Sequence, residues 1–192
     1  MIEKVKQLRQ ETGVSLMECK KALESSGGDV EKAKKYLREK GEELLGKRSG
    51  KDAGQGVIAS YIHTDNKSGA IVDLRCESDF VAKGEDFIEL AREICLQVVA
   101  AKPLYISEED VPEEIKDEEK EIILKQMKDE KKEKEMMEKI IEGKLNKQIK
   151  KIALLSQPWI KDESKSINDL INEKIAKIGE KIVVNKFERY EI

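Results

Sequence analysis

The chain has 192 residues, 40% of them charged, with 37 basic side chains against 40 acidic and a formal net charge of −3. That balance provides no field for collecting phosphates, so broad nucleic-acid binding is not expected, and no run approaches the roughly 20 apolar residues of a membrane span. Three widely spaced cysteines and one histidine argue against a disulfide framework and a zinc site, which points to a soluble, cytoplasmic protein with no metal and no cofactor.

Residues 1–41 read as three short helices. Their apolar positions are Ile2, Val5 and Leu8, then Leu16, Cys19, Ala22 and Leu23, then Val30, Ala33, Tyr36 and Leu37, one stripe per helix. Ser15 and Glu18 form a capping box, with Val14 and Cys19 spaced as a hydrophobic staple. Asp29 is placed to cap the third helix after the Gly27-Gly28 break, and Gly41 to close it. Such a bundle is marginal on its own, so it is expected to lean on a partner or on the rest of the chain.

Residues 42–56 carry Gly46, Gly50, Gly54 and Gly56 among Lys47, Arg48 and Lys51, a composition suited to a flexible basic linker and a domain boundary. Residues 57–192 then form the core. Val57 to His63 and Ala70 to Cys76 alternate about a turn-rich Thr64–Gly69, which predicts a β-hairpin. The β-branched stretch Lys181 to Phe187 supplies a third antiparallel strand. Phe87, Leu90, Ala91, Ile94, Val98 and Ala101 make a helical stripe that stops at Pro103. Ser107 to Glu142 holds 15 acidic residues against 8 lysines around scattered Ile and Met, a pattern for two solvated amphipathic helices. A further helix runs to Gln157-Pro158-Trp159, and a last one follows Ser166.

The chemistry-bearing candidates are few. Gly50-Lys-Asp-Ala-Gly-Gln-Gly56 lacks the strand and helix that a phosphate cradle needs. Nothing in spacing pairs His63 with Cys76, so a thiol enzyme is disfavoured and a small buried Cys is the blander reading. Ser78-Asp79-Phe80 sits where a strand hands over to a helix. Two readings are open there: Ser78 or Asp79 caps the helix and Phe80 folds into the core, or Phe80 stands exposed beside an acid and enters a partner's pocket.

Several blocks, in order along nearly the whole chain, resemble the translation elongation factor Ts family. They are Leu8-Arg-Gln-Glu-Thr-Gly-Val-Ser-Leu-Met-Glu-Cys-Lys-Lys-Ala-Leu23, Tyr36-Leu-Arg-Glu-Lys-Gly41, Cys76-Glu-Ser-Asp-Phe-Val-Ala-Lys83, Glu142-Gly-Lys-Leu145, Leu154-Leu-Ser-Gln-Pro-Trp-Ile-Lys-Asp162 and Phe187-Glu-Arg-Tyr190. The third is similar to the family's TDFVA segment, with Ser78 for the usual Thr. The 50–56 link is richer in glycine than the family's alanine-rich version.

The resemblance implies an α+β fold: a UBA-like three-helix module (1–41), a flexible basic linker (42–56), and a core (57–192) of helices on a three-stranded antiparallel sheet. It implies a guanine-nucleotide exchange factor for elongation factor Tu, not an enzyme. In that role Asp79 and Phe80, flanked by Ser78 and Val81, intrude into the partner's GTPase domain and disturb its magnesium and phosphate site. Arg9, Leu16, Met17 and Lys20 fall on positions that touch the GTPase domain, and Arg48 on a basic linker position with a similar role. The chain lacks the duplicated half-core of long members, so it resembles the short form, whose cores pair into a homodimer and give a two-to-two complex. The rival reading is a UBA-type interaction module or scaffold without exchange activity.

Overall fold

The computed structural model of the protein describes residues 1–48, 50–127 and 134–192, which divide into two compact units, Met1–Val99 with Asn168–Ile192, and Ala100–Ile167. In chain order the elements are α1 (Ile2–Thr12), α2 (Leu16–Ser25), α3 (Val30–Lys47), β1 (Gln55–Ile62), β2 (Ser68–Cys76), α4 (Asp79–Ala82), α5 (Glu85–Ala101), α6 (Glu113–Gln126), α7 (Lys134–Ile152), β3 (Pro158–Trp159), β4 (Asp162–Ser166), α8 (Ile167–Ile178) and β5 (Ile182–Glu191). The architecture is α+β, and its first three helices are consistent with a UBA-like module.

In the first unit, the apolar stripes of α1, α2 and α3 meet in a core of Val5, Leu8, Val14, Cys19, Ala22, Leu23, Ala33 and Leu37. The helix ends follow their local chemistry. Ser15 Oγ accepts from the Glu18 N–H at 3.3 Å, while the Glu18 carboxylate reaches to Lys40 and Lys21. Asp29 accepts from the Lys32 N–H at 3.1 Å. Gly13, at φ +67°, closes α1 in the left-handed conformation that a side chain disfavours.

Gly41 does not close α3, contrary to expectation. The helix continues through it to Lys47, and the strand β1 has begun by Gln55, so both ends of the predicted linker are regular structure; Ser49 lies outside the described residues. The glycine has a packing reason instead. A Cβ at Gly41 would stand 2.3 Å from the Asn172 carbonyl oxygen of α8.

The expected hairpin forms, and β5 joins it in an antiparallel sheet of order β1-β2-β5. Alternation on β2 buries Ala70, Val72, Leu74 and Cys76. The inner face of α5 (Phe87, Leu90, Ala91, Ile94, Cys95 and Val98) is wholly buried, and Cys95 hydrogen-bonds the backbone of Val72 on the sheet. Each such large side chain contributes about 1.5 to 3 kcal/mol on leaving water. Lys174 and Lys177 of α8 reach Asp86 at the start of α5, at 3.1 and 2.6 Å. The opposite sheet face leaves Ile58, Ile62, Ile71 and Tyr190 exposed.

In the second unit, α6 and α7 bury Ile123, Met127 and Ile141 against Met137, Ile140 and Leu145, so these Ile and Met side chains are packing, while Ile122 and Met136 are exposed. Residues 128–133, between the two predicted helices, lie outside the described residues. Buried Gln157 donates to the Lys151 and Ala101 carbonyls at 2.6 and 3.3 Å and accepts from the Ile167 N–H. It satisfies the end of α7 where Pro158 cannot continue the helix.

Candidate functional site

The corner between β2 and α5 is built from Glu77, Ser78 and the single helical turn α4. Ser78 is extended, at φ −118° and ψ 152°, and its Oγ accepts from the Val81 N–H at 3.3 Å, the geometry of a helix cap. Ala82, on the inner side of the turn, is buried. Val81 is half-buried, whereas Asp79 and Phe80 point into solvent, and Phe80 is 83% exposed. The capping reading therefore holds for Ser78, but Phe80 does not fold into the core. Phe87, seven positions on, takes that place at 0% exposure.

Asp79 pairs with Lys83 across one helical turn at 2.8 Å. The hydrogen bond from Lys83 holds the Asp79 carboxyl below its ordinary range, so an anion stands beside the exposed ring at neutral pH. As an exposed pair it adds little to stability, and the Lys83 ammonium can be exchanged for another donor.

Behind the corner the chain is tied to the approach to β5. Glu180 takes two hydrogen bonds from Ser78, one from the backbone N–H to Oε2 at 3.0 Å and one from Oγ to Oε1 at 2.7 Å. In return Glu77 Oε1 accepts from the Lys181 N–H at 2.8 Å. The Arg48 guanidinium binds both Glu77 oxygens at 2.7 and 2.8 Å. The Lys181 N–H first, and the Arg48 hydrogen bond second, hold the Glu77 carboxyl below its ordinary range. Arg48 thus lies at the corner, engaged with the chain's own acid.

Arg9, Leu16, Met17 and Lys20 come together elsewhere, in a groove of about 580 Å³ between α1 and α2 that Ile2 and Val5 also line. Leu16 and Met17 are exposed although they open an amphipathic helix, and Met17 at 63% is unlike a core residue. The groove has an apolar floor and a basic rim of Lys6, Arg9 and Lys20.

Cys76 is placed poorly for a nucleophile. Burial, reinforced by the charge of Glu180, pushes its thiol up to about 11, and Sγ donates to the Ser78 carbonyl at 3.2 Å. A thiol held protonated at neutral pH reacts slowly. His63 hydrogen-bonds Tyr61 on the hairpin.

The family model described as elongation factor TS matches residues 1–192. The chain is 53% identical over 188 residues to elongation factor Ts of Coprothermobacter proteolyticus, covering 98% of this chain and 95% of the relative. It is 50% identical over 188 residues to elongation factor Ts of Moorella thermoacetica, covering 98% and 93%. For elongation factor Ts of Thermodesulfovibrio yellowstonii the figures are 48% over 188 residues, 98% and 94%. The chain belongs to the elongation factor Ts family. Its part is therefore in protein synthesis, at translation elongation.

Within this elongation factor Ts fold, two residues at the corner escaped sequence reasoning. Glu77 reads locally as one more surface acid, and Glu180 as the residue after a helix-ending glycine. Their contacts with Lys181 and Ser78 span 104 and 102 positions, and no local pattern encodes such pairs.

Proposed function

We propose that this chain is the guanine-nucleotide exchange factor of elongation factor Tu, and that it acts by inserting Asp79 and Phe80 into the partner's GTPase domain. The observation that carries the reading is the exposure of Phe80 beside an anionic Asp79 on a turn whose cap and backbone are anchored, in a chain of this family.

Bound nucleotide is held by backbone amides, a lysine and Mg²⁺ around its phosphates. An exchange factor needs no covalent chemistry of its own. It weakens the grip by binding nucleotide-free partner more tightly than loaded partner, and linkage makes that weakening reciprocal. Each 1.4 kcal/mol of difference changes nucleotide affinity by about tenfold. Phe80 supplies apolar free energy, about 1.5 to 3 kcal/mol when its ring enters a pocket, which offsets distortion of the magnesium and phosphate site. Asp79 exchanges Lys83 for polar groups of the partner, while Ser78 and Val81 hold the turn at the contact.

In this reading the module of residues 1–41 contributes a second contact through Arg9, Leu16, Met17 and Lys20, the basic 42–56 segment a third through Arg48, and the 57–192 core grips another domain of the factor. The exposed Ile58, Ile62, Ile71 and Tyr190 support pairing of two cores into a homodimer, and hence a two-to-two complex in the cytoplasm, with no direct contact to nucleic acid or membrane. Mixing the protein with purified elongation factor Tu loaded with labelled GDP, and following release rate and complex mass together, tests the exchange activity and the stoichiometry. Release no faster than the spontaneous rate contradicts the proposal.

A further inference from the structure

We infer that Glu180 is a positioning residue for nucleotide release: its carboxylate, by holding the Ser78 backbone N–H and hydroxyl together, sets the direction in which α4 presents Asp79 and Phe80. The inference rests on the wedge reading proposed above.

A helix of four residues cannot hold its own direction, because its few hydrogen bonds do not repay nucleation. Its aim comes from its packing on β1 and β2 and from what lies at its ends. At the C-terminal end, the Gly84 N–H bonds the Val81 carbonyl at 2.9 Å and the chain passes into α5. At the N-terminal end, Glu77 and Ser78 link the turn to β2, and Ser78 is fixed twice by Glu180, at 3.0 and 2.7 Å. The hydroxyl works in both directions. It donates to Glu180 and accepts from the Val81 N–H, so the carboxylate also fixes the rotor that caps the turn. Both bonds from Ser78 to the Glu180 carboxylate are charge-assisted and therefore stronger and more directional than neutral ones.

Glu180 is itself aimed by backbone. The Gly179 N–H closes α8 on the Ile175 carbonyl at 2.7 Å, and Gly179 turns the chain at φ +82°. On the far side, the Lys181 N–H is held by Glu77 at 2.8 Å. Glu180 is thus clamped between a helix end and a strand start, and its carboxylate spends its two oxygens on the residue before the wedge. Stability alone does not require this arrangement at a corner that carries two solvent-facing side chains.

The test is a double-mutant cycle on GDP release from elongation factor Tu, with Glu180→Ala, Phe80→Ala and both together, each titrated to saturation. Glu180→Ala is expected to slow the maximal release rate about tenfold, the scale of a lost charge-assisted hydrogen bond, with a smaller change in the concentration giving half the maximal rate. In the Phe80→Ala background the same substitution is expected to change the rate less than twofold, because there is no ring left to aim. Glu180→Gln, which keeps an oxygen for the Ser78 N–H, is expected to restore most of the loss. Ser78→Ala provides a second route should Glu180→Ala fold poorly, and is expected to slow release in the same direction. Equal slowing by Glu180→Ala in both backgrounds, or none in the wild-type background, overturns the positioning role while leaving the wedge intact. No effect of Phe80→Ala alone overturns the wedge reading, and this inference with it.

Discussion

Gly41 of α3 lies so close to Asn172 of α8 that the position has no room for a Cβ: one built there would meet the Asn172 carbonyl oxygen at 2.3 Å and its carbon at 3.0 Å. Both partners are backbone, so neither can swing aside. Arg38, one turn earlier on α3, comes within 3.1 Å of Glu173 on α8 and guides the same approach. The close crossing joins the three-helix module to the element that leads into Glu180 and β5.

Gly41→Ala is therefore expected to destabilise the protein by about 1 to 3 kcal/mol, the cost of overpacking, despite the gain of up to about 1 kcal/mol in helix propensity. Urea unfolding followed by circular dichroism checks it. A rise in the midpoint would mean that the two helices separate without cost.

Asp86 predicts the acid behaviour. Its carboxyl is held below its ordinary value of 3.8, chiefly by the Lys177 hydrogen bond, with Lys174 adding to it and Glu89 sharing Lys174. A folded value below the unfolded one means that this contribution is fully present above the unfolded value and is lost as pH falls through the folded value. Stability should thus fall below about pH 4, and Asp86→Asn should flatten that part of the profile while lowering stability at neutral pH. Thermal midpoints between pH 2.5 and 7 measure both effects.

How much of this was legible in sequence varies with the range of the interaction. The Ser15 and Asp29 caps, the hairpin about Thr64–Gly69 and the apolar stripe of α5 are local patterns, and they read correctly because period and capping are encoded within a few residues. Gly41 misled for the opposite reason. A glycine after an amphipathic stretch usually closes a helix, and only the approach of Asn172, 131 residues away, explains one inside it. At the corner, the Ser78 cap could be read and the exposure of Phe80 could only be weighed, since an aromatic near a strand end is as often core. The Glu180 contact with Ser78 had no local trace.

The α1 and α2 groove yields a prediction separable from the wedge. Met17→Glu places a charge on an exposed apolar position, so folding should change by no more than about 0.5 kcal/mol. The proposed contact there should weaken. The factor concentration giving half-maximal GDP release is expected to rise several-fold, with the maximal rate little altered, and titration at fixed elongation factor Tu distinguishes the two.

Pairing of cores through the open sheet face predicts a solution mass of twice 21.9 kDa. Ile71→Lys, at the centre of that face on β2, should shift the protein to monomer without changing its helical signal. Light scattering coupled to size-exclusion chromatography reads the mass; a monomer at high concentration in the unaltered protein would remove the two-to-two stoichiometry.

The central claim is tested most directly by Phe80→Ala and its effect on release of labelled GDP from elongation factor Tu. With the ring 83% exposed, its removal should leave the unfolding midpoint within about 0.5 kcal/mol of the parent. The maximal release rate should fall about ten- to a hundredfold, the equivalent of burying one aromatic side chain. A variant that folds as the parent does and still releases GDP at the parent rate would contradict the account.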